Sequence, residues 1–460
     1  MSMKLSPKSI FAWILTIGFP LGIFMIPTSE LFTDTMRTFL MITVAAIIMI
    51  AFENVPTPAV TFLLPVAYVV LNITTPDIAW SSWAKPVFWM VVGALLFVNV
   101  LETSGLLQRI SFNILRMMGG SYVKLLLGLA LIGTFLNIIL FGNAYVLLAG
   151  IAYDLCKALD LKPLSVQGTA IFLIAAISGI IPTCCFYGAN LFMIEAYWSS
   201  VIETHTGILD FTFFNIPFIL YFFLAIVLVI IMYPSKEKVD ARGYATEELK
   251  KLGAMTLIEK KAVVWIVILF AYVMYCGFTG GDSTMAFIII PGCMLLPAIG
   301  CGDGNNVKNL DLTFILFVSA CMSIGFVAAS LNFGALISAL SMPLIASSTP
   351  TVITIVIYWI NVILNFLLTP MAVMAGFTSS YAQIAVDAGM NPLVIYSVMT
   401  LGLDQIVFPY EYALYLMYFS FGYISMKEFI KYFSVKLVLG FVCLCLLMIP
   451  FWKLTGLFMM

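Results

Sequence analysis

The sequence predicts an all-α polytopic membrane protein built from two similar halves, each interrupted by broken helices. Three observations predict it: the near-absence of charge, the length of the apolar runs, and the pairing of Gly/Pro/Asn breaks between the halves. Of 460 residues, 63% are apolar and 9% charged, and mean hydropathy is +1.12. A soluble domain carries roughly 25% charged residues, so this chain has too little charge to wet a closed surface. Pro163–Ile194 and Leu312–Val386 contain no charged residue at all. A crossing takes about 20 apolar residues, so these two stretches alone supply several.

Thirteen apolar runs, from Phe11–Ile26 to Lys436–Trp452, give about 10–12 spans once some are read as half-helices or hairpins. Lys4 and Lys8 precede a run too long for a signal peptide, with no small-residue cleavage site after it, so it reads as a retained first span. Basic residues set the topology. Pro234–Lys261 carries Lys236, Lys238, Arg242, Lys250, Lys251, Lys260 and Lys261, which places it in the cytoplasm. Arg109, Arg116 and Lys124 mark a second cytoplasmic stretch with an interfacial helix. The acidic loop Glu203–Asp210 reads as external. Lys427, Lys431 and Lys436 start the last span inside, so the N-terminus is inside and the C-terminus outside, with the bacterial inner membrane as the expected location.

The expected organisation is N-terminal, mainly scaffold spans over 1–110, a first repeat with hairpin and broken helix over 111–233, and a cytoplasmic basic loop over 234–261. Scaffold spans and the start of the second repeat follow over 262–330, then the second hairpin and broken helix over 331–435 and a final span over 436–460. In the first half, Leu140–Ala144 interrupts an apolar run and Leu161-Lys162-Pro163-Leu164 follows about 20 residues later. In the second, Leu368-Thr369-Pro370-Met371 interrupts a run and Met390-Asn391-Pro392-Leu393 follows at nearly the same distance. Each half then breaks again, at Ile181–Asn190 and at Val407–Tyr415. Unwound backbone at membrane depth survives only where it lines a cavity or meets a solute, and paired breaks in two halves point to a transporter site.

The chemistry around these breaks excludes other classes. His205 is the single histidine and lies in a polar loop, so bis-histidine haem ligation and a histidine-based catalytic site are out of reach. The nine cysteines show no zinc spacing and no disulfide framework. No enzyme constellation or cofactor motif is present, no basic face attracts nucleic acid, and no charged rings or filter repeats suggest a channel. A channel or a non-catalytic membrane subunit remains the alternative class. No Lys or Arg occurs between Lys162 and Lys236, or between Lys308 and Lys427, intervals that hold the first broken helix and the whole second pair of breaks. An anion there rests on helix N-termini, hydroxyls or bound cations.

Glu411 stands in the fourth break. An intramembrane carboxylate costs at least about 2.5–3.5 kcal/mol, so it is expected to be paired, protonated or serving a cation. Tyr187, Tyr410, Tyr412, Tyr415 and Phe186 surround the same breaks, and aromatic faces beside a carboxylate suit a cationic head. That opens an alternative substrate, a betaine or other zwitterion. Asp404 and Gln405 are candidates for an access path, and Glu195 for the cavity wall. Asn137, Asn361 and Asn365 precede the hairpin tips, either as sources of cation-binding oxygens or in the commoner role of interhelical hydrogen bonding.

At the breaks, the sequence resembles the divalent anion/sodium symporter (INDY-type) family. Val386-Asp387-Ala388-Gly389-Met390-Asn391-Pro392 resembles the stretch after that family's second hairpin. Phe421-Gly422-Tyr423-Ile424-Ser425-Met426-Lys427-Glu428-Phe429 is similar to its late G-[YH]-I segment. The resemblance implies two inverted repeats, re-entrant hairpins, a scaffold plus a moving transport domain, and a homodimer. It also implies a Ser-Asn-Thr triplet at each hairpin tip that touches substrate carboxylate and sodium. Here the first triplet falls on Gly142-Asn143-Ala144 and the second on Thr369-Pro370-Met371. The Pro-Pro-Asn of the first broken helix falls on Gly188-Ala189-Asn190, and its counterpart on Ala413-Leu414-Tyr415. The scaffold is retained and the tip chemistry rewritten. The expected substrate-binding residues are Gly142, Asn143, Ala144, Tyr187, Asn190, Thr369, Pro370, Met371 and Tyr412. Asn143, Asn365 and Glu411 are expected to couple a cation, sodium or a proton, with no resident metal or other cofactor. The expected function is cation-coupled or exchange transport of a small carboxylate-bearing solute by elevator-type movement.

Overall fold

The computed structural model describes residues 7–52, 54–202, 206–235, 241–279, 281–366 and 368–459. His205, Glu203, Glu53, Lys236 and Lys238 lie outside the described residues. Among the described residues the architecture is helical throughout, the only extended pairing being an isolated bridge between Met390 and Met459. Helix starts follow local chemistry. Proline occupies the first turn at Pro86, Pro350, Pro370 and Pro392, where its missing N–H costs nothing. Side chains of Ser165, Thr349, Thr369, Asn391 and Ser425 accept backbone amides at the N-caps, each contributing about 1 kcal/mol.

Two long, almost wholly buried helix segments form the centre. From Gln167 to Ile180 every residue of Val166–Ile180 is buried, and so is every residue from Leu393 to Asp404 of Pro392–Asp404. A helix apolar all round belongs in a core. Hairpin I (arms Tyr122–Ile139 and Tyr145–Ala158) packs both arms on the first of these; hairpin II (arms Pro350–Asn365 and Pro370–Asp387) packs both arms on the second. The hairpins enter from opposite ends of the bundle. Thr169, near the start of the first central helix, donates its hydroxyl to Tyr423 O at 2.8 Å. Asn391, at the start of the second, donates its amide to Phe458 O at 3.2 Å. Tyr423 and Phe458 flank Met426–Leu454, a 29-residue span roughly 43 Å long at 1.5 Å per residue.

Among the described residues, six helices are long and apolar enough to cross a membrane, or seven with the pair Ile208–Phe214 and Ile216–Met232, which bends by 57°. Shorter apolar helices, Pro350–Asn365 and Pro392–Asp404 among them, account for further apolar runs. Two boundaries differ. The last span begins at Met426 rather than at Lys436. The basic stretch expected as a loop holds a helix, Arg242–Leu252, packed on the amphipathic helix Leu106–Met118.

Arg109 ties that amphipathic helix in place. Its guanidinium meets Glu259 at 2.7 and 3.2 Å and donates to the carbonyls of Gly253, Leu252 and Ala254. Arg109→Ala is expected to cost about 2–3 kcal/mol, since hydrogen bonds to charged groups contribute most. Arg109→Lys should recover little of it, because an ammonium lacks the fork that spans both carboxylate oxygens. Thermal unfolding of the detergent-purified variants checks this; equal stability of wild type and Arg109→Ala refutes it.

Candidate functional site

The tip of hairpin I turns through Phe141 (φ 48°) and Gly142 (φ 99°). At Gly142 a side chain meets both the left-handed backbone and Thr183, whose Cβ lies 3.3 Å from the position a Cβ would take. The tip touches the first break directly: the Ala189 amide donates to Phe141 O at 2.8 Å. At Gly188 a Cβ would sit 2.8 Å from Phe141 O, so this glycine serves close approach, its φ of 174° being open to any residue. The tip of hairpin II starts at Thr369, whose hydroxyl accepts the Ala372 amide at 3.4 Å.

Between these turns lies a cavity of about 230 Å³. From hairpin I it receives Gly142, Asn143 and Tyr145; from the first break Thr183, Ala189 and Asn190; from hairpin II Met371; and from the second break Tyr412, Ala413 and Leu414. Val91, Ala94 and Leu95 of Pro86–Thr103 and Phe314 of Leu312–Ser330 close the other side. Its lining contains no charged side chain.

Four helices begin at this cavity: Tyr145–Ala158, Ala189–Trp198, Pro370–Asp387 and Ala413–Ser420. Three of the four have no side-chain cap; only the Thr369 hydroxyl caps its own helix. The positive ends of the four helices favour negative charge in the cavity. Asn190 Nδ2 donates to Thr183 Oγ1 at 3.1 Å and to Cys184 Sγ at 3.3 Å. Asn143 Nδ2 donates to Leu140 O at 3.2 Å. Both amides thus stand at the wall, held by their own loops.

Five of the nine expected substrate residues line the cavity: Gly142, Asn143, Asn190, Met371 and Tyr412. Ala144 and Pro370 are buried beside it. Thr369 is spent on its cap, and Tyr187 turns away, its hydroxyl 3.2 Å from Ser283 Oγ. Glu411 is not in the lining. Its carboxylate accepts the Val407 and Phe408 amides at 3.2 and 2.9 Å and so closes its own turn. No aromatic cage forms, for Tyr410 is 58% exposed and Tyr415 bonds Asp404 instead. Glu195 accepts the Thr206 amide at 2.7 Å.

Asn137 and Asn365 occupy equivalent places in the two hairpins. Asn137 Nδ2 donates to Ser178 O at 2.8 Å, and Asn365 Nδ2 to Gly402 O at 3.1 Å and Leu403 O at 3.0 Å. Each amide thereby satisfies carbonyls at the end of a central helix, just before its break. Their amide oxygens are buried without a hydrogen-bond partner among the described residues.

Sequence reasoning missed the pairing of Asp404 with Lys436. Lys436, expected to mark the inner mouth of the last span, is wholly buried and bonds Asp404 Oδ2 and Asp404 O at 2.6 Å each. Asp404 and Gln405 therefore sit in a polar core and not on an access path. The signal was present: two opposite charges inside apolar segments, 32 residues apart, neither of which lipid tolerates alone.

The sequence matches the family described as "Sodium:sulfate symporter transmembrane region" over residues 7–458. No curated protein matches it. Two transporters are among the solved structures that share its fold. The Alcanivorax borkumensis YdaH transporter aligns with TM-score 0.55 at 12% identity, covering 98% of this chain and 99% of that one. Neisseria gonorrhoeae MtrF, described with a class of antimetabolite efflux pumps, aligns with TM-score 0.53 at 13% identity, covering 97% and 96%. Apolar spans, broken central helices and a match over almost the whole length agree: the chain belongs to the sodium:sulfate (divalent anion/sodium) symporter family of integral membrane secondary transporters.

Proposed function

We propose that the cavity binds a small carboxylate-bearing organic anion, which the protein carries across the bacterial inner membrane by elevator-type alternating access. The carrying observation is the convergence of four helix starts on one uncharged cavity. Each start contributes about 0.3–2 kcal/mol toward a negative charge, and each does so without a mobile basic side chain. The wall also offers Val91, Leu95, Phe192, Phe314 and Leu414, which suit a carbon skeleton better than a bare inorganic anion such as sulfate. The zwitterion reading needs Glu411 at the wall, and its carboxylate is engaged by backbone amides instead.

Two further hollows support approach from either end. One of about 630 Å³ runs along the return arm of hairpin I, past Gly150 and Asp154; the other, of about 390 Å³, runs along that of hairpin II, past Ser379 and Gln383. Movement is driven by a sodium or proton gradient, or by exchange. Asn143, in the cavity wall, is the group expected to answer to a cation, whereas Asn365 is engaged with Gly402 O and Leu403 O. A homodimer with the N-terminus inside and the C-terminus outside completes the proposal.

A thermal-stability screen of purified protein tests it, because a ligand stabilises the state it binds. The panel holds carboxylates, betaines, amino acids and sulfate, with and without sodium at two pH values. A carboxylate is expected to shift unfolding, and Asn143→Ala to weaken its binding about tenfold, the loss of one good hydrogen bond to a charged group. Stabilisation by betaines or by sulfate alone sinks the proposal.

A further inference from the structure

The break after Pro392–Asp404 holds a constellation that the cavity does not use. Asp404 is the last residue of that helix, and its backbone oxygen accepts both the Ile406 amide at 3.0 Å and the Lys436 ammonium at 2.6 Å. The Asp404 carboxylate accepts Lys436 at 2.6 Å and Tyr221 at 2.9 Å on Oδ2, and Tyr415 at 3.1 Å on Oδ1. Gln405 Nε2 donates to the Tyr221 hydroxyl at 3.2 Å. The Gln405 amide oxygen is buried with no hydrogen-bond partner among the described residues. The lysine side chain is 0% and the aspartate side chain 3% exposed.

An ammonium gripped by a helix-terminal carbonyl and a carboxylate occupies what is, by its donors, a cation site. Half-helix C-termini and unwound carbonyls at membrane depth are where transporters hold coupling cations, and here the cation is part of the chain. The site also borders the cavity. The segment leaving Asp404 returns to the cavity at Tyr412, and Tyr415, one turn on, holds the carboxylate. Tyr412, in the cavity wall, packs edge-on against Tyr415 with ring centroids 6.0 Å apart. A purely structural clip is a costly choice, since apolar residues of similar volume often stabilise as well as a buried ion pair.

We propose that Lys436 is a built-in counter-ion that fills a cation site at the second break, so that this half of the protein carries its anion without a dissociable cation. The role toward the anion rests on the function proposed above; the donor set does not. With the ammonium removed, the same oxygens become a site for an alkali cation, probed here as sodium.

The test uses the purified full chain in sodium chloride and in N-methylglucamine chloride of equal ionic strength. Thermal unfolding is compared for wild type, Lys436→Gln, and the double variant Lys436→Gln with Asp404→Asn. Sodium is expected to stabilise Lys436→Gln saturably and more than wild type, and the excess to vanish in the double variant. A sodium response equal to that of wild type, or one that persists in the double variant, overturns the proposal. Wild type gives a second measurement should Lys436→Gln fail to fold in either salt. Its carboxylate binding should respond to sodium with a Hill coefficient no greater than one, and a coefficient above one overturns the proposal. Wild type that binds no carboxylate at all removes the functional reading and the counter-ion role with it, whereas the sodium shift of Lys436→Gln still reports on the donor set.

Discussion

Exchanging Lys436 for methionine is expected to destabilise the protein by about 3–5 kcal/mol, the cost of leaving a buried charge without its partner. Asp404 then keeps two phenols but loses the ammonium bonded to it. Water cannot replace that ammonium at a residue with a 3% exposed side chain. Methionine fills the volume, so a cavity is not the cause. Adding Asp404→Asn removes the stranded charge while keeping an acceptor for a tyrosine, and most of the loss should return. Denaturant or thermal unfolding in one detergent decides the matter. A single variant within 1 kcal/mol of wild type, or a double variant no better than the single, refutes it.

The second large effect is expected at Gly188. A methyl there lies 2.8 Å from Phe141 O and 2.9 Å from Phe141 C, backbone atoms that no rotamer change can move aside. The hairpin tip must separate from the break, and the bond from the Ala189 amide to Phe141 O at 2.8 Å goes with it. Gly188→Ala should therefore lower solute binding by more than about tenfold, equivalent to about 1.4 kcal/mol or more, while the distant helices stay folded. Gly292→Ala, in the helix Ala286–Cys293 with nothing within 4 Å of the added carbon, is the control and should bind as wild type does. Equal affinity in Gly188→Ala and wild type shows that the tip and the break do not jointly shape the site.

Much of this arrangement is legible in the residues, and the limits are physical. The breaks announce themselves because Gly142, Pro182, Pro370 and Pro409 stand inside long apolar runs, where a helix would otherwise continue. What converges at those breaks is less visible. Helix starts carry no side-chain signature when they are uncapped, so the contribution of Tyr145 or Ala413 to the wall cannot be read from residue type. Glu411 drew attention as an isolated acid, yet its partners are the amides of its own turn, and backbone partners leave no trace in composition. Asp404 and Lys436 mislead in the opposite way. Each has an innocent local reading, one as a cavity rim and the other as an interfacial lysine, and only the packing of two distant segments makes them a pair.

Asn137 and Asn365 act as a bolt just below the tip of each hairpin, fastening it to the end of the helix beside it. A hairpin held there is poorly suited to swing open like a flap, because lifting it strips carbonyls of their donor in a medium that offers no substitute. The expected motion is therefore a slide in which hairpin and neighbouring helix travel as a single block. A disulfide joining either hairpin to its neighbouring central helix at that level should leave the carrier working, whereas one joining a tip to Pro86–Thr103 should stall it.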